Sequence, residues 1–275
     1  MPFIEQTDHG VTFLASGAFQ TAGGVVHGFS TRLGGVSEGI FAALNLGTTR
    51  GDDPDRVREN YRRFCAAIGA DATRIVMTKQ VHGTVIRTAA AADVKADICD
   101  PVPYECDALV TDRPGLALTV FTADCIPVLL YDPVKRVIAA VHAGWRGTAG
   151  DIAGKAARKM AEEYGSGTGD ILAAIGPGIS QCCFETHADV PDAMTEVLGE
   201  LARPHIISLE NGKFRVDLKG INAALLERAG LAPEHVEISP DCTACLHEKY
   251  WSHRVTQGKR GNQAAMIQLI ETIPR

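Results

Sequence analysis

The chain has 275 residues, of which 45% are hydrophobic and 22% charged, and a formal net charge of −6, the profile of an ordinary soluble globular protein. The acidic balance and the lack of any Lys/Arg run argue against a nucleic-acid-binding footprint, short of a basic pocket inside an acidic shell, and no apolar stretch reaches the ~18 residues of a membrane span. At this length the chain buries roughly 70–75% of its unfolded surface, so stability requires neither disulfide nor metal. The first residues, Met1-Pro-Phe-Ile-Glu-Gln6, lack the basic region and apolar core of a secretory signal. A cytoplasmic location is therefore expected, and the eight cysteines read as reduced thiols.

Strand-like and helix-like segments are interleaved along the whole chain, predicting a mixed α/β or α+β fold. Val25–Thr31 reads as a strand leading into the glycine-rich segment Gly34–Gly39. Asp53–Ile68 reads as a helix, with Pro54 suited to its first turn and Val57, Tyr61, Phe64 and Ile68 forming an apolar stripe. Ile75–Lys79 and Val85–Thr88 are expected strands on either side of His82. Leu116–Phe121, Pro127–Asp132 and Val137–His142 are apolar runs of strand length; Cys125 falls in the turn between the first two, and His142 ends the third. A helix is predicted from Thr148 to Tyr164, burying Ile152, Ala156, Met160 and Tyr164, followed by a buried strand at Ile171–Ile175 that Gly176-Pro-Gly178 stops. Thr186-His-Ala-Asp189 has the form of a capping box opening a helix through Val197. Phe214–Asp217, Val236–Ser239 and Gln263–Ile270 complete the strands, and Leu218–Ala229 the helices. No linker, low-complexity tract or repeat interrupts this series, so residues 1–275 are expected to form one domain.

Gly35-Val-Ser37-Glu-Gly39 matches a nucleophile elbow in letters, but that elbow needs a strand directly before it and a helix directly after. Three other residues carry more chemistry. His82 lies in Gln80-Val-His-Gly83, Cys125 in Thr122-Ala-Asp-Cys-Ile-Pro127 and His142 in Val141-His-Ala-Gly-Trp-Arg-Gly147. Each alone reads equally as a packed or surface side chain. Together they offer three nitrogen or thiolate ligands from dispersed positions, as in a catalytic zinc site whose fourth position stays open. Affinity order favours copper over zinc at such a set, so adventitious copper is also compatible with it.

A rival metal set is Cys242-Thr-Ala-Cys245 with His247 and His253, which has the spacing of a closed structural zinc site; otherwise Cys242 is buried and Cys245 incidental. The adjacent Cys182 and Cys183 are poorly placed to chelate one ion together and are expected to pack. Phosphate chemistry would need arginines near the metal. Arg146, four residues after His142, and Arg32, just before the glycine-rich segment, are the candidates.

Two readings from other classes use the same residues. In one, Cys125 is a thiolate nucleophile with His142 as its base, giving an amidohydrolase or deamidase. In the other, the metal stabilises a non-catalytic binding protein. A copper-dependent polyphenol oxidase would need many histidines in His-x-His pairs, and none of the nine histidines forms such a pair.

Thr122–Asp132 followed by His142–Gly147 closely resembles the YfiH family. So do His27–Arg32, Leu44–Gly47, Gly51–Asp53, Lys79–Gly83, Asp107–Thr111, Ala174–Ile179 and Cys183–Glu185. Tyr250-Trp-Ser-His-Arg254 fits the family's aromatic-Ser-Tyr/His-Arg pattern, whereas Cys245 has no counterpart in it. The resemblance implies a layered sandwich of helices around mixed sheets. It also implies a zinc-dependent purine nucleoside phosphorylase that deaminates adenosine and cleaves methylthioadenosine, in a family long labelled polyphenol oxidases. The implied substrates are adenosine, inosine, guanosine or methylthioadenosine with phosphate, and the products free base and ribose-1-phosphate. The zinc ligands would be His82, Cys125 and His142, with Arg32 and Asn45 as pocket residues. Asp124, beside Cys125, is by position the candidate acid for the leaving ammonia, and Arg146 with Arg32 the candidate phosphate clamp.

Overall fold

The computed structural model describes residues 2–271. The chain opens with a hairpin that the apolar pattern does not announce, β1 (Ile4–Asp8) and β2 (Val11–Ala15), turned by His9 and Gly10 at positive φ. Next come α1 (Gly17–Ala22), β3 (Val25–Ser30), α2 (Pro54–Ile68), β4 (Ile75–Met77) and β5 (Ile86–Thr88). The middle supplies β6 (Ala108–Thr111), β7 (Ala117–Thr122), β8 (Ile126–Asp132), β9 (Val137–Ala143), α3 (Trp145–Ala149), α4 (Ile152–Tyr164) and β10 (Leu172–Ile175). The remainder is β11 (Glu185–Thr186), α5 (Asp189–Leu198), β12 (Ile206–Ser208), β13 (Phe214–Val216), α6 (Leu218–Arg228), β14 (Val236–Ile238), α7 (His253–Thr256) and β15 (Gln263–Leu269).

Two six-stranded mixed sheets run in the orders β1-β2-β3-β15-β7-β4 and β14-β10-β8-β9-β6-β5, and β11-β13-β12 form a small third sheet. Strand alternation builds the layers. On β8, Ile126, Val128 and Leu130 pack with α4, α5 and α6, while Leu129 and Tyr131 face the other large sheet. On β15, Ala265, Ile267 and Leu269 fill the space between the sheets, and Ala264 and Met266 pack beneath α2. The fold is thus mixed α/β in four layers: α2, first sheet, second sheet, then α3–α6. Both faces of the central strands are buried, which is why they read as continuous apolar runs without alternation.

Two expected elements form differently. The predicted 148–164 helix is interrupted at Asp151, which adopts φ 59° and separates α3 from α4. The carboxylate of Asp151 accepts from Arg158 at 2.7 Å and Arg228 at 3.2 Å, which ties this left-handed residue to α4 and α6. The capping box does not form either: Thr186 pairs with Phe214 in the small sheet, and α5 starts at Asp189 without a side-chain cap.

For the site, the key feature is how the chain changes sheets. The segments from β4 to β5 and from β7 to β8 each leave the first large sheet and enter the second. His82 lies on the first crossing and Cys125 on the second. His142 lies near the end of β9, with Pro127 of β8 as its register partner.

Candidate metal centre

His82, Cys125 and His142 come together, with ligand atoms all within 4.8 Å of one another. His82 Nε2 is 3.9 Å from Cys125 Sγ, and the two imidazoles meet edge to face at a centroid distance of 4.9 Å. The backbone is bent to achieve this. His82 has φ 60° and Asp124, next to Cys125, has φ 90°, a region that non-glycine residues seldom occupy. Gly144 leaves the room that the group needs: a Cβ there would lie 2.9 Å from His82 Cδ2 and 3.3 Å from Cys125 Sγ.

Asp107, fully buried on the approach to β6, organises two of the three ligands. Its Oδ1 accepts from His142 Nδ1 at 2.8 Å and from the His82 amide at 3.0 Å. Its Oδ2 accepts from the Gly83 amide at 2.8 Å and the Val81 amide at 3.2 Å. The carboxylate therefore holds the proton of His142 on Nδ1 and leaves Nε2 for a metal, the usual arrangement behind a ligating histidine. Burial pushes the Asp107 carboxyl up, but hydrogen bonds from His142 and the loop amides outweigh it and hold it below the ordinary value. Sequence reasoning missed Asp107 as a site residue, because nothing local marks a carboxylate that acts on loops distant in the chain.

The charges of Cys125 and His142 depend on each other. Burial pushes the Cys125 thiol up, but the His142 charge and hydrogen bonds from His142 and His82 bring it well below an ordinary thiol. Burial lowers His142 in turn, while the Cys125 thiolate and Asp107 raise it above an ordinary imidazole. The three side chains line a cavity of about 480 Å³. A second hollow of about 380 Å³ shares His82, Cys125, Arg50 and Arg260 with it. Three borderline-soft ligands gathered on one side, with open space beyond them, fit zinc in a site with a free position.

The residues expected from sequence around phosphate and the leaving group sit apart from the cavity or are engaged elsewhere. Arg146 is exposed, lies 4.2 Å over the Trp145 ring and lines neither cavity. Arg32 is spent on structure: its guanidinium donates to the carbonyls of Ala42 and His247 and lies 4.1 Å over Trp251. Asn45 is wholly buried behind the wall, where its Oδ1 accepts from the amides of Gly47 and Asn262, which do line the cavity. Asp124 is engaged on both oxygens, by Thr243 Oγ1 at 2.6 Å, Ser252 Oγ at 3.1 Å and the Arg254 amide at 2.6 Å. These three donors tie Asp124 to the loops around Thr243 and Ser252 and so position the Cys125 turn.

Arg50 and Arg260, in their stead, border both cavities beside the metal group. Neither forms an ion pair among the described residues, and Arg260 Nε is buried without a hydrogen-bond partner. Burial, then the neighbouring Arg50 charge, lower Arg260 to about 10. Arg50 also donates to Gly258 O at 3.1 Å and Arg260 to Gly261 O at 2.9 Å, and the Asp124 and Cys125 charges act on Arg260 without forming an ion pair. From sequence, each was one arginine in a loop.

The rival metal set is also redrawn. Cys242 and Cys245 do gather with other ligands, but these are Cys182 and Cys183, not His247 and His253.

Residues 26–270 match a family described as multi-copper polyphenol oxidoreductase laccase. A purine nucleoside phosphorylase of Deinococcus radiodurans is 39% identical over 246 residues, covering 89% of each chain. An adenosine deaminase, RL5, from an unknown prokaryotic organism is 33% identical over 83% of this chain and 88% of its own. The crystal structure of YlmD from Geobacillus stearothermophilus superposes with a TM-score of 0.92 at 33% identity, covering 98% of this chain and all of that one. The chain belongs to the YfiH family. Its relatives carry the names of enzymes, and it is an enzyme. The laccase label of this YfiH-family match finds no counterpart in the geometry. Among the described residues, the groups that could hold a metal are the His82–Cys125–His142 trio and the four cysteines. Neither gathers the imidazoles of a multi-copper cluster.

Proposed function

We propose that residues 1–275 act as one cytoplasmic catalytic unit, a zinc-dependent purine nucleoside phosphorylase that also deaminates adenosine. Adenosine, inosine, guanosine and methylthioadenosine are its substrates with phosphate, and free base and ribose-1-phosphate its products. The observation that carries this reading is the pair Arg50 and Arg260, in no ion pair among the described residues, bordering the same cavity as His82, Cys125 and His142. The relatives named as purine nucleoside phosphorylases and as an adenosine deaminase support it.

Zinc held by His82, Cys125 and His142 would supply Lewis-acid polarisation. The chain's own residues do the remaining work. Asp107 holds the His142 proton on Nδ1 and so fixes the direction of the ring. Met77, Val102 and Phe121 give the cavity an apolar wall for a purine face. Arg50 and Arg260 bind phosphate and keep its charge beside C1′ of the ribose. As a phosphate oxygen bonds to C1′, the bond to the base breaks and its electron pair leaves with the purine. Positive charge then grows on the sugar next to the held anion, an interaction stronger in the transition state than before it.

A second reading has one observation in its favour. Cys125, His142 and Asp107 stand in series, with His142 holding the Cys125 thiol below an ordinary thiol and a 2.8 Å His142–Asp107 contact, which also suits a cysteine nucleophile. Sulfur bound to zinc cannot attack, so metal content separates the two. The test is product chromatography from adenosine, inosine and methylthioadenosine, with and without phosphate. It uses metal-quantified wild type, Cys125→Ala and Arg260→Gln. Phosphate-dependent base release, lost in Cys125→Ala and showing a KM for phosphate raised at least about tenfold in Arg260→Gln, is expected. Turnover by metal-free protein would transfer the assignment to the cysteine nucleophile, and no turnover by zinc-loaded protein would refute the nucleoside reading.

A further inference from the structure

Four cysteines outside the catalytic cavity come together from two loops. β10 and β14 are parallel neighbours, and the loops that leave their ends carry Cys182–Cys183 and Cys242–Cys245. A parallel bridge between Gly178 and Cys242, with the Thr243 amide donating to Gly178 O at 3.2 Å, prolongs the strand pairing into the loops. All four Sγ atoms lie within 4.8 Å of one another. Cys245 Sγ is 3.6 Å from that of Cys182 and 3.4 Å from that of Cys183, and Cys182 and Cys183 are 3.7 Å apart. Disulfide-bonded sulfurs would be about 2.05 Å apart. Sulfurs at the corners of a tetrahedron around zinc, with Zn–S of about 2.3 Å, are about 3.8 Å apart.

The Ser180 amide donates to Cys242 Sγ at 3.3 Å, and the amides of Cys245 and Ala244 point at the same sulfur. None of the four cysteines is in a disulfide, so four sulfurs face one point, as a tetrahedral sulfur site requires.

We propose that Cys182, Cys183, Cys242 and Cys245 form a second metal site, a structural zinc centre closed by four thiolates. Sulfur-only ligands select zinc over hard cations, and a closed four-ligand set leaves no position for substrate. The ion clamps two loops that shape the catalytic side. Ile179 and Phe184, flanking Cys182–Cys183, line the smaller cavity, and Arg254 on its wall donates to the carbonyls of Cys183 and Glu185. The centre thus holds one wall of the substrate site from behind.

Metal counting tests this without any nucleoside turnover, so its outcome is independent of the catalytic assignment. Wild type prepared under reducing conditions should hold two zinc ions per chain. Cys125→Ala should keep one, and its cobalt-substituted form should show the thiolate-to-cobalt charge-transfer bands of a tetrahedral sulfur site. The Cys182→Ser/Cys245→Ser double variant should lose one ion and unfold at a lower temperature. If the double variant does not fold, the Cys125→Ala protein decides by itself. A Cys125→Ala protein with neither zinc nor charge-transfer bands overturns the proposal, as does a disulfide among the four cysteines in protein handled without air.

Discussion

Asp107 illustrates how one buried carboxylate does what the ligands cannot do for themselves. It joins the ring of His142 to the amides of Val81, His82 and Gly83, which fixes the direction of one ligand and the loop of another. Replacing it with Asn keeps the shape but removes the charge and one of the two acceptor oxygens. Zinc affinity at the His82–Cys125–His142 site is expected to fall about 10–100-fold in Asp107→Asn, as measured by competition with a chromophoric chelator. Unchanged affinity would show that the loop is held without it. His82, Cys125 and His142 were legible as a candidate group because their residue types are unusual and their settings specific. Asp107, Arg50 and Arg260 were not, since their importance lies in what stands opposite them. Arg146, and after it Arg32, were the candidates in sequence, yet Arg32 is anchored to carbonyls and Arg146 is exposed over Trp145.

Among the elements, α2 was read almost to the residue, because its signals are all local. Asp53 caps it through the Asp55 amide at 2.8 Å, Pro54 opens it, and Gly69 ends it at φ 76°. The stripe of Val57, Tyr61, Phe64 and Ile68 lies buried against the first sheet. Asp53→Ala should therefore lower unfolding free energy by about 1 kcal/mol, measured by urea denaturation, with metal content unaltered; a change below a few tenths would mean that other contacts define the start of the helix. The break at Asp151 and the absent cap at Thr186 had no local signal. Arg228 of α6 approaches Asp151 from 77 residues away, and β13 draws Thr186 into a strand. Tertiary partners override weak local preferences in both places.

For the whole molecule, burial of His27 makes stability depend on pH. Its ring packs against Phe19 at 5.0 Å, and Nε2 accepts the Ser16 amide at 2.8 Å. Burial lowers its pKa from 6.5 to about 4. Below pH 6.5 the unfolded chain takes up a proton that the folded chain refuses until about pH 4. Stability is therefore full above pH 6.5 and declines as pH falls through that window, by up to about 3 kcal/mol. Denaturant unfolding at pH 7, 5.5 and 4 should show this decline, and a His27→Gln variant should lack that part of it. An equal decline in the variant would assign the effect to other groups.

By itself the sequence determined what is decided over a few residues: the bounds and stripe of α2, the apolar strands around Cys125 and His142, and the residue types of the His82–Cys125–His142 group. Helix capping and side-chain periodicity act between near neighbours, so the chain carries them openly. Only the tertiary structure decided that two crossings between sheets bring His82 to Cys125, that Asp107 stands behind His142, and which arginines border the cavity. It also decided that Cys182 and Cys183, which adjacency alone marked as poor chelators, meet Cys242 and Cys245. These are distances between residues far apart in the chain, and they follow from the path of the backbone through four packed layers, which no local pattern records.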